Sequence, residues 1–222
     1  MSAQLLSTSQ GRTMVLTLSN PGRRNALGPE IYAAGVEALN AAEANPEVRS
    51  VVLTGEGDIF CAGGDLHRLQ ANRQRDPEVQ GQSIEQLHTW IEAIRTFPKP
   101  VIAAVEGAAA GAGFSLALAC DFLVAAQDAV FVMAYSKVGL SPDGGASWLL
   151  GRQLPRALAG ELLMTGERIA AQRLHTLGLV NRLCDPGQAL DEALALAERL
   201  NAQAPNVLAS IKELLNEAPD AP

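Results

Sequence analysis

The sequence predicts an α/β fold with a helical C-terminal region. Short apolar or β-branched runs at residues 13–19, 50–54, 101–105 and 121–126 alternate with stretches of helical period through the first two thirds of the chain. Helical stripes dominate the last third. Two of the runs lead into turns made of the smallest residues, Ala62-Gly63-Gly64 and Gly111-Ala112-Gly113. Nearly half of the 222 residues are hydrophobic and few are aromatic, a composition suited to helices packed closely on sheets in one domain.

Residues 13–19 alternate and are β-branched enough for a strand, which Asn20-Pro21-Gly22 ends in a turn. Pro29 is placed to open a helix with Ile31, Ala38, Leu39 and Ala42 on one face, and Asn45-Pro46 stops it. The run 50–54 is continuously apolar, as in a strand buried on both sides. Residues 66–83 are polar and weakly periodic, which predicts a loop or a mobile helical segment. Ile84, Leu87, His88, Ile91 and Ile94 then share a helical face, and Pro98-Lys99-Pro100 separates that helix from the strand at 101–105. Residues 107–113 read as a tight turn and 114–120 as the helix after it. Extended segments follow at 121–126 and 130–134, then helices around Trp148, at 155–164 and at 170–177, and an extended 179–183. Leu190, Leu194, Ala197 and Leu200 stripe the next helix, and Val207, Leu208, Ile211, Leu214 and Leu215 the last. The α/β core is expected over 1–185, and the helical region over 186–222.

The charge of −7 argues against a nucleic-acid partner, which needs a basic footprint. The three cysteines, Cys61, Cys120 and Cys184, are at neither metal nor redox spacing, and the three histidines lack ligand spacing. No metal and no separate cofactor is expected. No apolar run is long enough to span a membrane, and the first residues lack a signal-peptide core, so a cytoplasmic location is expected.

A strand that ends in small residues lets another group approach the backbone, and a helix starting there points free N–H groups outward. Two such turns side by side could aim two amides at one oxygen, as in an oxyanion hole. Close strand–helix packing alone would also call for small residues there.

The order of motifs resembles the enoyl-CoA hydratase/isomerase, or crotonase, superfamily. Asn20-Pro21 through Arg24-Asn25-Ala26-Leu27, then Phe60-Cys61-Ala62-Gly63-Gly64-Asp65-Leu66, then Lys99 to Gly107, then Thr165-Gly166-Glu167-Arg168-Ile169 and Gly178-Leu179-Val180-Asn181 are similar to its successive signatures. The resemblance implies a spiral of β-β-α units, a homotrimer or dimer of trimers, and a coenzyme A thioester as substrate. It implies a thioester carbonyl held by the amides of Ala62 and Ala112. It also implies contacts to the coenzyme from Arg24, Asn25, Ala26, Leu27, Gly64, Asp65 and Leu66, and phosphate contacts from Arg23, Arg24 or Arg68. Family members carry further helices beyond the point that matches Pro222, so a truncated chain is one expectation.

Two departures narrow the reaction. The positions that match the two hydratase glutamates are Ser115 and Tyr135, and neither side chain is a carboxylate. Asp143, in Leu140-Ser141-Pro142-Asp143-Gly144-Gly145, resembles the acid/base of the isomerase branch, although Ser-Pro-Asp-Gly is also an ordinary turn with a helix cap. Tyr135 is expected to face the acyl group. The resemblance therefore implies an isomerase working through a thioester enolate with one aspartate. Hydration by another base, nucleophilic use of Asp143, and a non-catalytic acyl-CoA-binding paralogue remain as alternatives. Cys61, near the expected hole, reads as packing.

Overall fold

The most continuously apolar runs of the sequence are the buried central strands. In chain order, the computed structural model has β1 (Gln4–Gln10), β2 (Thr13–Ser19), α1 (Pro29–Ala44), β3 (Ser50–Gly55), α2 (Leu66–Asn72), α3 (Pro77–Thr96), β4 (Val101–Val105), β5 (Ala108–Ala110) and α4 (Ala112–Ala119). There follow β6 (Phe122–Ala126), β7 (Val130–Val132), α5 (Ala146–Gln153), α6 (Arg156–Thr165), β8 (Arg168–Ala170), α7 (Ala171–Thr176), β9 (Arg182–Cys184), α8 (Ala189–Asn201) and α9 (Pro205–Glu217). The structure describes residues 3–72 and 77–218.

Six strands make one sheet in the order β1-β2-β3-β4-β6-β9, parallel except for the β1–β2 pair. A smaller sheet holds β5-β7-β8. Each β-β-α unit sends its first strand to the large sheet and its second to the small one, as β4-β5-α4 and β6-β7-α5 show. The segment after β3 follows the same rule, because Cys61 bridges Ala109 of β5. The central strands β3 and β4 are buried on both faces, as their unbroken Val, Leu, Ile and Ala require.

On one face of the large sheet, Val15, Val52, Ile102 and Val124 pack against Ala189, Ala193, Leu196 and Ala197 of α8. The helical region expected from residue 186 begins with α8, which covers this face of the sheet. The other face meets α1, α3 and α4 through Ile31, Leu39, Leu87, Trp90, Phe114 and Leu116.

Two expectations change, and one strand is new. β1 is an antiparallel edge strand, mostly exposed, that pairs with β2 and packs Leu5 against the core. Within 107–113 the chain makes the three-residue strand β5 before it turns, held by β7 and by Cys61 rather than by any preference of its alanines. The polar stretch 66–83 contributes α2 and the first turns of α3, with residues 73–76 outside the described residues. Asp65 explains why α2 starts where it does. Its carboxylate accepts from the amides of His67 and Arg68 at 3.0 and 3.3 Å, as an N-cap does. The chain end at Pro222 also lies outside the described residues.

Candidate active site

The two small-residue turns do lie side by side. The Cys61 amide donates to the Ala108 carbonyl at 3.0 Å and the Ala110 amide to the Cys61 carbonyl at 2.9 Å. Gly113 has no room for a side chain, since a Cβ would come within 2.7 Å of the Cys61 Cβ and carbonyl oxygen. Gly63, at φ +93°, passes so near that a Cβ would sit 2.7 Å from the Ala110 carbonyl oxygen and 3.4 Å from the Ala112 nitrogen.

The donor expected at Ala62 is corrected. Its amide already donates to the Arg24 carbonyl at 3.0 Å. The free amide of this loop is that of Gly64. Gly64 bridges Leu27 in parallel, with the Leu27 amide on the Gly63 carbonyl (2.8 Å) and the Asp65 amide on the Leu27 carbonyl (3.2 Å). That register turns the N–H of Gly64 away from Leu27, and it has no acceptor among the described residues. Ala112, in the first turn of α4, has an amide that is likewise without a backbone acceptor among the described residues. Gly64 and Ala112 line one cleft of about 990 Å³.

Asp143 lines the same cleft. The Tyr135 hydroxyl donates to its Oδ1 at 2.5 Å. Burial pushes the Asp143 carboxyl above the usual carboxylate range, and the Tyr135 hydrogen bond and the His88 charge pull it back only in part. The turn holding Asp143 is clamped from below. The buried Ser115 Oγ lies 3.2 Å from the Asp143 carbonyl and 3.4 Å from the Tyr135 hydroxyl. At Gly144, φ +57°, a Cβ would come within 2.9 Å of Ser115 Cβ. Position 144 therefore has no room for a side chain above Ser115.

Tyr135 therefore touches the candidate base as well as the cleft. The segment 24–27 is used differently from the expectation. Leu27 reaches the cleft. Asn25 does not face a ligand: it is buried, accepts from the Asn20 amide at 3.0 Å, and donates to the carbonyls of Glu56 and Ile59 at 2.9 and 2.7 Å. It holds this loop where Arg24 and Asn25 take left-handed φ of 52° and 56°. Ala26 is buried as packing, and Arg24 stands on the surface outside the cleft. Asp65 lines the cleft while capping α2 and pairing with Arg23. Burial opposes its charge, but the Arg68 amide and the Arg23 guanidinium outweigh that and hold its carboxyl below the usual range. Leu66 stands exposed at the cleft rim. The Cys61 thiol is sealed in, and burial pushes it up to about 12, so it is inert packing at neutral pH.

Sequence reasoning missed Tyr32. It lies on α1, 5% exposed, with its ring in the cleft wall. A composition signal existed: the chain has two tyrosines, Tyr32 and Tyr135, and both line this cleft.

The model of the enoyl-CoA hydratase/isomerase family matches residues 8–221. The chain is 39% identical to the 1,2-epoxyphenylacetyl-CoA isomerase of Escherichia coli strain K12, over 96% of this chain and 82% of that protein. It is 35% identical to a carnitinyl-CoA dehydratase of Salmonella enteritidis, over the whole of this chain and 84% of that one. Among solved structures, an enoyl-CoA hydratase from Polaromonas superposes with a TM-score of 0.97 at 74% identity, covering 98% of this chain and 85% of the other. The chain belongs to the enoyl-CoA hydratase/isomerase family.

Proposed function

We propose that this protein is an acyl-CoA isomerase that shifts a double bond, or rearranges a ring epoxide, through a thioester enolate. The observation that carries the reading is Asp143, a half-buried carboxyl above its usual pKa range, in the same cleft as the free amides of Gly64 and Ala112. In a 3-enoyl thioester, the Asp143 carboxylate takes a proton from C2. The electron pair moves onto the thioester oxygen, where the two amides stabilise the developing charge. The carboxylic acid so formed returns the proton at C4, and the double bond ends between C2 and C3. One group suffices, since it serves first as base and then as acid. Ser115 and Tyr135 support this over two-carboxylate hydration, because neither can activate water as a carboxylate does.

The test is turnover of 3-enoyl-CoA thioesters and of a ring-epoxide thioester in ¹⁸O-labelled water. The expected result is isomerised product without label, lost in Asp143→Asn. Label in the product would make the protein a hydratase, and tight binding of every thioester without turnover would make it a non-catalytic paralogue.

The assembly and location belong to the same reading. Val207, Ile211, Leu214 and Leu215 form an exposed apolar stripe on α9, which supports a trimer or dimer of trimers. Light scattering on the purified chain checks it. The cysteines stand as free thiols, which supports a reducing, cytoplasmic setting.

A further inference from the structure

The cleft wall is mostly apolar, yet it carries two hydrogen-bond donors that the enolate mechanism leaves unused. Tyr32 is 5% exposed, and its hydroxyl makes no hydrogen bond among the described residues. Arg68 is half-buried in the same wall. One end of its guanidinium is fixed on the buried Ser83 hydroxyl at 2.5 Å. No carboxylate lies within ion-pair distance of Arg68 among the described residues. Glu30 approaches the same point above Gly28, where a Cβ would stand 3.0 Å from Glu30 Oε2 and 3.4 Å from Arg68 Nη1, without closing to an ion pair. The phenol is within electrostatic reach of both Asp143 and Arg68, so the two donors share the acyl region with the candidate base.

A phenol with no acceptor, and a guanidinium whose one side-chain acceptor among the described residues is the Ser83 hydroxyl, suit a ligand that supplies another. The guanidinium fork prefers a carboxylate, and a hydrocarbon tail would leave both donors stripped of water with nothing in return. Ser83 adds rigidity by holding one edge of the fork and leaving the rest free.

The geometry points to an acyl pocket walled on one side by Tyr32 and Arg68, which selects thioesters whose acyl group carries an oxygen acceptor at its far end, a carboxylate most tightly. This rests on the acyl-CoA reading above, not on the isomerase step. It also gives Arg68 a different task from the coenzyme phosphates.

Equilibrium binding separates these possibilities without turnover. The probes are free coenzyme A, saturated acyl-CoA thioesters of four to eight carbons, and ω-carboxyacyl-CoA thioesters of the same lengths. The expected result is that one ω-carboxy length binds about tenfold more tightly than its hydrocarbon partner. Arg68→Met should abolish that preference, and Tyr32→Phe should reduce it about threefold, with affinity for free coenzyme A unchanged. A wild-type protein that prefers the hydrocarbon partner at every length overturns the inference even if a variant fails to fold. Equal weakening of every probe by Arg68→Met, coenzyme A included, also overturns it and assigns Arg68 to the phosphates. Failure of all probes to bind the wild type overturns this inference together with the acyl-CoA reading, whereas binding without isomerase turnover sinks only the latter's chemical step.

Discussion

Asp121 and Asp143 are two carboxylates that the same fold draws away from water, and it treats them in opposite ways. Asp121 follows α4 and accepts from the Val101 amide and the Lys212 ammonium, both at 2.8 Å. Lys212 also donates to the Ile94 carbonyl at 2.9 Å, so the pair ties α9 to α3 and to the start of β4. Burial pushes the Asp121 carboxyl up, and the Lys212 charge opposes it. Asp143 has no cation within ion-pair distance among the described residues and holds a neutral phenol instead. A carboxylate clamped by an ammonium and a backbone amide serves the fold. A carboxylate held by one phenol at the edge of a cleft keeps lone pairs for a proton from a ligand.

Exchanging each aspartate for asparagine breaks the comparison most sharply. Asp143→Asn should lower kcat about 10²- to 10⁴-fold, the range for loss of a general acid–base group. Its folded pKa lies above the unfolded value of about 3.9, so the native state binds more protons between the two values. Wild-type stability contributed by this group is therefore present below the unfolded value and lost as pH rises through the folded one. Asp143→Asn lacks that loss, so urea unfolding should find it at least as stable as wild type at pH 8, with any advantage gone near pH 4. Asp121→Asn should do the reverse, lowering stability by leaving Lys212 unpaired while kcat at 25 °C stays within about twofold. Loss of turnover in Asp121→Asn, or of stability in Asp143→Asn at pH 8, would exchange the two assignments.

Lys212→Met tests the structural half from the other side. Breaking a fully buried pair costs roughly 3–5 kcal/mol, and this pair retains some water contact, so about 2 kcal/mol is expected in the unfolding free energy. Because Lys212 is the part of α9 that reaches Asp121, hydrogen exchange should accelerate first along α9. An unchanged unfolding midpoint would mean that the ion pair is surface decoration.

The same contrast explains what the sequence made legible. The continuous apolar runs marked β3 and β4, and the small-residue turns marked the place where two loops meet, because local pattern decides both. The position of Asp143 was legible from the turn around it and the order of motifs. Which amide of the first loop is free was not, because Leu27, 37 residues before Gly64, sets that register through its pairing with the loop. Asn25 was misassigned for a similar reason: its partners, Glu56 and Ile59, are remote in sequence and turn a polar side chain into a strut. Tyr32 escaped because it sits beside Ile31 on a helix whose apolar face already accounted for its burial. The contact of Ser115 with the turn that holds Asp143 appears only in the fold, where Gly144 has no room for a side chain above it.

Tyr135→Phe gives the smallest effect and the most specific one. The phenol donates to the ionised carboxylate and so lowers the Asp143 pKa against burial. Removing the hydroxyl leaves burial less opposed, and the pKa rises. If Asp143 must be ionised to take the first proton, the acid limb of kcat/KM in the free enzyme follows that pKa and moves to higher pH in the variant. Above the limb the carboxylate is formed in both proteins, and the rates should differ by less than about tenfold, since the lost hydrogen bond is worth roughly 1.5–3 kcal/mol and acts mainly on ionisation. The ring is buried and remains as phenylalanine, so the unfolding midpoint should change little. A merely structural tyrosine would lower the rate equally at all pH values and leave the limb in place. A limb that moves with the plateau nearly kept is the signature of a residue that acts through Asp143.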